Sequence, residues 1–221
     1  MKILHAYLFF SIRFAGGTCD LMFKLAKAQK KQGLYPAIYC GDYKFDNSLA
    51  EKLIGTRFKI VKSWFDKQGF SIMPSLNREL ENDIDNIDII HMHVFRTFQN
   101  YIMYKFCLRN KVPFVIDAHG AVPRYVRKKS LKGLFDRFIG RKMLNDADFL
   151  IAETEVGVAE YLEVDPTLDR KKIIVISPPF DTDEFAKLPT KGQFRAKYQI
   201  SDKKKVIMFL GRVHHIKGND F

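Results

Sequence analysis

Two basic residues near the end of the 221-residue sequence could bind an anion. Arg212 follows Gly211 directly after the apolar run Val206–Leu210, and Lys217 comes five residues later, where a new helix could begin. Open α/β sheets bind their ligands at the carboxyl ends of the strands. Because arginine offers a bidentate fork and lysine a point charge, the pair predicts a clamp for a diphosphate group.

A pair of glycines lies between the first predicted strand and the first predicted helix. Gly16 and Gly17 permit a ligand to approach the backbone closely, and the N-terminus of the following helix offers free N–H groups. The segment therefore fits a phosphate or a sugar hydroxyl, with a plain turn as the alternative. It is not a dinucleotide-binding fingerprint, because it lacks the G-x-G-x-x-G spacing and no acidic residue closes the second strand.

Histidines mark the ends of two further predicted strands. His91 and His93 share one face of a strand, but zinc would require another ligand and none is identifiable, so no metal is predicted. His93, at the strand end, is predicted to contact a ligand, and the deeper His91 to be a hydrogen-bonded core residue. His119 follows Asp117 at the end of the next buried strand. An imidazole there can exchange hydrogen bonds with a substrate hydroxyl at neutral pH.

The formal net charge is +12, and the excess of basic residues is locally concentrated. Residues 124–142 contain eight basic residues and one acidic residue. Basic proteins bind nucleic acids, anionic membranes or phosphorylated substrates. No helix-turn-helix, RNA-recognition motif or zinc finger accompanies the charge, so nucleic acid is the weaker candidate and is not expected as a partner.

The same basic segment contains an apolar stripe at helical spacing. We expect the stripe to pack on the sheet and the basic face to be solvated. The alternative is docking on anionic lipid headgroups, to which each basic residue contributes about 1 kcal/mol near the bilayer. The stripe comprises Leu131, Leu134, Phe135, Phe138 and Ile139, and the docking residues would be Arg127, Lys128, Lys129 and Lys132.

The composition indicates a water-soluble chain with enough apolar residues for a core, since 47% are hydrophobic and 28% are charged. The N-terminal apolar stretch is too short for a membrane span and lacks the cleavage site of a signal peptide. Cys19, Cys40 and Cys107 are too few and too widely spaced for a disulfide framework or a CxxC metal site. They are expected to be buried free thiols of a cytoplasmic protein.

Short apolar runs alternate with helical patterns along the chain. Apolar residues share one face between Thr18 and Gln32, and a second apolar stripe begins at Phe98. This alternation predicts the α/β class, with a doubly wound, Rossmann-like parallel sheet. The predicted strands are Ile3–Phe9, Tyr35–Cys40, Phe58–Val61, Ile87–His93, Phe114–Asp117, Phe149–Ala152, Ile173–Ile176 and Val206–Leu210.

A proline-containing stretch, Ser177–Thr190, predicts a domain boundary. We expect an N-terminal Rossmann-like domain over residues 1–180, a linker with a short helix over 181–203, and the first strand and loop of a truncated second Rossmann-like domain over 204–221. A lone strand and a loop cannot bury a core, so the sequence is expected to belong to a longer protein.

Several segments resemble the retaining family-4 glycosyltransferases of the GT-B fold. They are the Gly16-Gly17 loop and the stretches IDIIHMH, PFVIDAHG, ADFLIAETE, KIIVISPPFDTDEF and GRVHHIKGNDF, which occur in the family's order and spacing over nearly the whole chain. The resemblance implies two Rossmann-like domains across a cleft, with the acceptor on the N-terminal domain and a nucleotide-diphosphate sugar on the C-terminal one. It also implies transfer of a hexose-type sugar with retention of configuration, and no obligatory metal or other cofactor.

The resemblance further implies roles for individual residues. His119 would be the catalytic histidine, lying beside the transferred sugar as a positioning hydrogen-bond partner. Two cations would neutralise the departing diphosphate, which favours the transition state over the ground state. The donor site would comprise Gly16, Gly17, Arg212 and Lys217, and the acceptor site His93, Arg124 and Tyr125.

Two departures from the family pattern limit what the chain can do alone. Pro178-Pro179-Phe180-Asp181 stands where the family usually has Asn-Gly-Val/Ile-Asp, and the paired glutamates that hold the donor are absent from these residues. The chain by itself is therefore expected to lack transferase activity. The expected partners are a nucleotide sugar, a glycan or lipid-linked acceptor and the inner face of the cell membrane. The alternatives are a nucleotide-sugar epimerase of the same fold, a non-catalytic module that binds membrane or nucleic acid, and a non-catalytic remnant.

Overall fold

The computed structural model describes residues 1–67, 70–123, 129–211 and 213. Two compact units divide the chain, Met1–Pro179 and Phe180–Phe221. The division falls inside the proline-containing stretch. The functional assignments of the three predicted segments stay predictions.

Within the described residues of the first unit, seven parallel strands form one sheet in the order β3-β2-β1-β6-β7-β8-β9. The sheet strands are β1 (Lys2–Phe9), β2 (Tyr35–Gly41), β3 (Arg57–Val61), β6 (Ile89–His93), β7 (Phe114–Asp117), β8 (Phe149–Ala152) and β9 (Ile173–Val175). The chain winds outward from β1 in both directions, so the order reverses between β1 and β6. The predicted fold class, a doubly wound Rossmann-like α/β sheet, is confirmed.

The strands form where the sequence is continuously apolar, because helices cover both faces of the sheet. Leu4, Ile38, Ile90, Ile116 and Leu150 are fully buried at the centres of five strands. Two apolar clusters result, a larger one that extends across β6, β7 and β8 and a smaller one around β2. Cys19, Cys40 and Cys107 are buried free thiols, as predicted.

Helices connect successive strands, and polar side chains start two of the longer ones. The Thr97 side chain accepts a hydrogen bond from the Asn100 backbone N–H, and the Thr154 side chain accepts one from the Gly157 N–H, which are N-cap interactions. No helix of the described residues combines the length and the apolar character that a membrane crossing requires. The helices are α1 (Ile12–Ala15), α2 (Gly17–Lys31), α3 (Asn47–Ala50), α4 (Leu76–Asn82), α5 (Phe98–Asn110), α6 (Lys129–Phe135), α7 (Arg141–Asp146) and α8 (Glu155–Val164).

The structure differs from the predicted elements in the basic segment. A π-helical turn, Asp136–Gly140, lies between α6 and α7, so the apolar stripe does not keep one face. Phe135 packs against the core, whereas Leu131, Leu134 and Phe138 are exposed. The expectation that the whole stripe packs on the sheet is therefore wrong.

A second difference is a hairpin of β4 (Phe65–Lys67) and β5 (Phe70–Ile72), where the sequence analysis predicts no strand. These strands have three residues each, which is too short for an alternating pattern to be recognised.

The second unit contains little regular structure in its described residues. A 3-10 turn, Thr182–Phe185, and a short helix, α9 (Gln193–Lys197), are present. The predicted strand Val206–Leu210 is not formed, and its side chains are exposed. A β-strand requires a hydrogen-bonded neighbour, and none of the described residues pairs with this run.

Candidate functional site

Polar side chains gather at the carboxyl ends of three adjacent strands. In the parallel register His93 of β6 lies beside Asp117 of β7, and Asp117 lies beside Ile151 of β8. His119 follows β7 and Glu153 follows β8. Ligands of doubly wound folds bind at the carboxyl ends of the strands and near the point where the strand order reverses, here between β1 and β6. The cluster therefore lies where the fold places binding sites.

Three histidine rings form a hydrogen-bonded row across the sheet. His5 Nε2 lies 2.8 Å from Gln29 Oε1, and His5 Nδ1 lies 3.0 Å from His93 Nε2. His93 Nδ1 lies 2.8 Å from His119 Nε2. His119 Nδ1 then faces two carboxyl groups, with Glu153 Oε1 at 3.0 Å and Asp117 Oδ1 at 3.1 Å. We call these residues, from Gln29 to Glu153 and Asp117, the histidine row.

Burial makes the inner histidines hard to protonate. Desolvation lowers the pKa of His5 to about 4 and lowers the pKa of His93 well below its ordinary value. It acts in the same way on the pKa of His91, whose ring stacks on that of His93 at a centroid distance of 4.1 Å. The Nε2 atom of His91 is buried and has no hydrogen-bond partner among the described residues. The prediction of a hydrogen-bonded core histidine is therefore wrong for that atom.

The two carboxyl groups at the end of the row have different environments. Burial raises the pKa of Asp117 to about 6. The hydrogen bond with His119 is the main cause that lowers the pKa of Glu153. The Glu153 side chain is 35% exposed, whereas that of His119 is only 5% exposed. Environments that separate two pKa values in this way are typical of functional carboxyl pairs.

Glu153 lines two cavities of the first unit. One has a volume of about 210 Å³ and is bounded by residues of α2, by His91 and Asp117, and by the segment 176–179. The other, of about 150 Å³, lies between the loop after β7 and the start of α8. His119 lines the second cavity, and Glu153 and Ile151 line both. A ligand hydroxyl in either cavity can therefore reach the Glu153 carboxylate.

The loops that carry the site have unusual backbone conformations. Val94, Arg96 and His119 have positive φ angles of 71°, 60° and 47°. Left-handed φ is unfavourable for a β-branched residue such as Val94 and persists only where the surroundings hold it. The Asn100 amide does so, because its Nδ2 donates to the carbonyl oxygens of His93 and Val94 at 3.2 and 3.0 Å.

A buried ion pair fixes the loop that follows His119. Arg96 donates to both carboxylate oxygens of Asp136, at 2.7 and 2.8 Å, and the Asp136 side chain is fully buried. The same guanidinium donates to the carbonyl oxygens of Ala121 and Val122. Because Arg96 follows β6 and Asp136 lies in the π-helical turn, the pair ties three segments together beside the site.

The glycine pair begins α2 at the same edge of the sheet. Gly16 has φ 62° and ψ −137°, a combination that is essentially restricted to glycine. A Cβ atom added at either Gly16 or Gly17 would meet nothing within 4 Å. The space beside the two residues is therefore open, and the predicted close approach of a donor ligand stays a prediction.

A cavity larger than the two beside Glu153 lies at the opposite edge of the sheet, away from the histidine row. It has a volume of about 480 Å³ and is lined by Lys2, Lys30, Tyr35 and Arg57, near the amino ends of the strands. Each of its three cations already has a partner: Lys2 donates to the Asp85 carbonyl, Lys30 to the Ile54 carbonyl, and Arg57 to Asp83. We favour the smaller cavities because the groups with shifted pKa values line them.

Most of the predicted donor-site and docking cations lie outside the described residues. This applies to Arg212 and Lys217, and also to the predicted acceptor-site residues Arg124 and Tyr125 and the docking residues Arg127 and Lys128. Lys129 begins α6. The Lys132 ammonium donates to the Pro123 carbonyl at 2.8 Å, and partial burial lowers its pKa.

Sequence reasoning missed His5, Gln29 and Glu153 as members of the site. The signal for His5 was a polar residue inside the first apolar strand. Its importance depends on the pairing of β1 with β6, which places His5 beside His91. Ring nitrogens of His5, His91 and His93 lie within 4.8 Å of one another, as metal ligands would. Hydrogen bonds account for both nitrogens of His5 and of His93 without an ion, and the predicted absence of a metal stays a prediction.

Comparison with known proteins gives one family match. The model of the family described as Glycosyltransferase Family 4 matches residues 15–184, which include the glycine pair and the whole histidine row except His5. No curated protein matches the chain at a significant level.

Solved structures resemble the chain in fold. HepE from Anabaena in complex with UDP-glucose has 13% identity and a TM-score of 0.65 over 91% of this chain. A glycosyltransferase from Rickettsia africae has 18% identity and a TM-score of 0.62 over 91%. A UDP-GlcNAc 2-epimerase from Methanocaldococcus jannaschii has 16% identity and a TM-score of 0.52 over 79%. The chain spans 50%, 50% and 45% of their respective lengths.

Proposed function

The chain belongs to glycosyltransferase family 4, and on that premise we propose that it forms the acceptor-side part of a sugar-transfer enzyme. The donor is a nucleotide-diphosphate sugar, and the acceptor is a polysaccharide or a glycolipid. Transfer of the hexose-type sugar proceeds with retention of configuration and without an obligatory metal. The enzyme acts in the cytoplasm, at the inner face of the cell membrane.

One observation carries the proposal: hydrogen-bonding side chains converge at the strand ends, next to small cavities. Sugars present hydroxyl groups, which a carboxylate such as Glu153 can accept as hydrogen-bond donors. Both ring nitrogens of His119 already have partners within the domain, which suits a positioning role better than that of a free base. Family membership and the UDP-glucose complex of HepE support a nucleotide-sugar donor.

The donor half of the reaction is assigned to Gly16, Gly17, Arg212 and Lys217. Negative charge grows on the leaving diphosphate during glycosyl transfer, so preorganised cations there stabilise the transition state. Removal of one such donor typically costs about 10²–10³ in rate. This assignment rests on the resemblance of the GRVHHIKGNDF segment to the family pattern.

The test is a transfer assay on the complete gene product, with labelled nucleotide sugars and both oligosaccharide and lipid-linked acceptors. The expected result is a labelled acceptor whose anomeric configuration, read by NMR, equals that of the donor. An inverted product would refute retention, and the absence of transfer across the panel would refute the activity. These 221 residues alone are expected to give no multiple turnovers.

A second candidate is a nucleotide-sugar epimerase, because the fold is shared with a UDP-GlcNAc 2-epimerase. Epimerisation inverts a carbon of the sugar, and its product is again a nucleotide sugar. Incubation of the complete gene product with UDP-GlcNAc alone separates the two activities. An epimerase forms the 2-epimer without any acceptor, whereas the proposed transferase leaves the sugar configuration unchanged.

Membrane docking is a further part of the proposed function. Three exposed apolar side chains lie on and beside α6, namely Leu131, Leu134 and Phe138. The same segment contains Lys129 and Lys132, two of the predicted docking residues. Apolar side chains flanked by basic ones bind anionic interfaces, because burial of the former adds to electrostatic attraction of the latter. Sedimentation with vesicles tests this: binding to anionic vesicles that decreases with salt is expected, and equal partitioning to neutral and anionic vesicles would contradict it.

A further inference from the structure

The histidine row contains four consecutive hydrogen-bond contacts. The first joins Gln29 Oε1 to His5 at 2.8 Å, the second joins His5 to His93 at 3.0 Å, and the third joins His93 to His119 at 2.8 Å. The fourth joins His119 Nδ1 to the Glu153 carboxylate at 3.0 Å, with Asp117 at 3.1 Å as a second partner. All four distances are typical of hydrogen bonds.

Each of these contacts needs one proton, and both ends of the row are acceptors. The carbonyl oxygen of an amide accepts hydrogen bonds and cannot donate, and an ionised carboxylate likewise only accepts. A neutral imidazole carries one N–H and one bare nitrogen. Three neutral rings therefore supply three protons, which is one fewer than the four contacts require.

We propose that the histidine row stores one additional proton at its carboxylate end, between His119 Nδ1 and the carboxyl groups of Glu153 and Asp117. With four protons every contact is satisfied, and His5, His93 and His119 all carry hydrogen at Nε2. The additional proton is shared by a coupled group, so it belongs to the His119–Glu153–Asp117 cluster rather than to one residue.

The electrostatics of the site place the proton at this end. Two carboxyl groups lie within 3.1 Å of the same ring nitrogen, and the Asp117 side chain is only 8% exposed. Two negative charges that face the same ring nitrogen repel each other, and a proton between them removes one charge. At the other end the neighbour of His5 is an uncharged amide, which offers no comparable stabilisation.

The stored proton lies where a ligand can reach it. Glu153 lines both cavities and is the most exposed member of the carboxylate end. A bound hydroxyl that donates to the outer oxygen of Glu153 meets a cluster with one negative charge instead of two. The use of this proton with a sugar acceptor rests on the proposed function, whereas the number of protons does not.

The test is NMR spectroscopy of the 221-residue chain with ¹⁵N-labelled histidine near pH 7. Protonated and bare ring nitrogens have well-separated ¹⁵N shifts, so each tautomer is read directly. The expected pattern is Nε2 protonated and Nδ1 bare in both His5 and His93, with Nε2 of His119 also protonated. Protonation of His5 and His93 at Nδ1, or averaged shifts from two tautomers, would overturn the proposal.

The Gln29→Glu variant provides a control, because it requires only a comparison of the ¹⁵N shifts of the histidine rings with those of the unmutated chain. Three ring protons satisfy all four contacts only if the Gln29 amide is reversed, so that its NH₂ group donates the fourth proton to His5. A glutamate carboxylate can only accept, so the variant forces a proton onto His5 Nε2. The expected result is the unmutated ring pattern, whereas a reversal of all three tautomers on mutation would overturn the proposal. Because neither readout depends on catalysis, failure here differs from failure of the transfer assay.

Discussion

His91 and His93 are two residues apart on β6, and their rings stack at a centroid distance of 4.1 Å. They differ in their hydrogen bonds. His93 is bonded through both nitrogens, while the buried Nε2 of His91 has no partner among the described residues. Two histidines on the same face of one strand therefore have different roles. His93 belongs to the site, whereas His91 is a buried neutral ring, and its burial reduces the stability of the fold at acidic pH.

Acid should destabilise the fold. The pKa of His5 is lowered to about 4 and those of His91 and His93 are also lowered, so the unfolded state binds more protons below pH 6.5. Stability is then complete above pH 6.5 and is lost as the pH falls. For His5 this loss is about 2 kcal/mol between pH 6.5 and pH 5, and His91 and His93 change the stability in the same direction.

The raised pKa of Asp117, about 6, has the opposite effect, because it stabilises the folded state as the pH falls. Three histidines destabilise the folded state over the same pH range, so a net loss of stability is expected. Urea unfolding at pH 7 and pH 5 measures the net loss. His91→Phe should reduce the difference between the two pH values, and an unchanged difference would show that His91 protonates freely in the folded state.

The Arg96→Met substitution should strongly destabilise the first unit. It removes the guanidinium that donates to both oxygens of the fully buried Asp136 carboxylate and to the Ala121 and Val122 carbonyls. Breaking a buried pair from one side typically costs about 3–5 kcal/mol. Urea unfolding gives the value, and Lys142→Met is the matched control because that residue's pair with Asp146 is exposed. A loss below about 1 kcal/mol for Arg96→Met, as expected for a surface pair, would contradict the prediction.

Alanine at Gly16 and at Gly17 should have different effects on stability. Gly16 has φ 62° and ψ −137°, so Gly16→Ala should lose about 1–3 kcal/mol through backbone strain. Gly17 has no such conformation and begins α2 beside open space, so Gly17→Ala should be neutral or slightly stabilising. Thermal unfolding of both variants is the measurement. Equal losses would show that the space beside Gly17 is filled.

Glu153→Gln should impair transfer by the complete gene product. The substitution removes the charge of the exposed carboxylate that lines both cavities, and hydrogen bonds to charged groups are worth about 1.5–3 kcal/mol. We expect kcat/KM to fall by about 10- to 100-fold. The control is Glu155→Gln, two residues further on and largely exposed in its ion pair with Arg170. Equal activities of the two variants would exclude Glu153 from the site.

Phe138→Ser should weaken binding to anionic vesicles. Phe138 is 70% exposed, and burial of such a side chain contributes about 1.5–3 kcal/mol, so the partition coefficient should fall by about tenfold or more. Ile54→Ser is the control, because Ile54 is 84% exposed but lies outside the basic segment. A similar fall for both variants would indicate non-specific adsorption and contradict docking through α6.

Much of the fold was predictable from local patterns. Phe114–Asp117 and Phe149–Ala152 were predicted with the observed bounds, because continuous apolar runs of this length form buried parallel strands. The apolar stripe around Phe138 was interpreted wrongly. Helical spacing alone could not show the π-helical turn, which begins at Asp136, a residue paired with one forty positions earlier.

The site was predictable only in part. His93 and His119 were selected because each stands at the end of a predicted strand, a position that sequence reveals. His5, Gln29 and Glu153 join them through contacts between separate elements, and the order of strands decides which elements meet. Such contacts depend on tertiary structure and leave no spacing signal in one sequence.

Tyr161 of α8 joins the ends of two strands through one hydroxyl group. Its oxygen accepts from the Ala118 N–H at 3.2 Å and donates to the Ile151 carbonyl at 3.1 Å. Because Ala118 follows β7 and Ile151 belongs to β8, this hydroxyl links the two strand ends beside the cavity between their loops. The side chains that line this cavity, such as Val156, therefore limit the size of any ligand that can enter it.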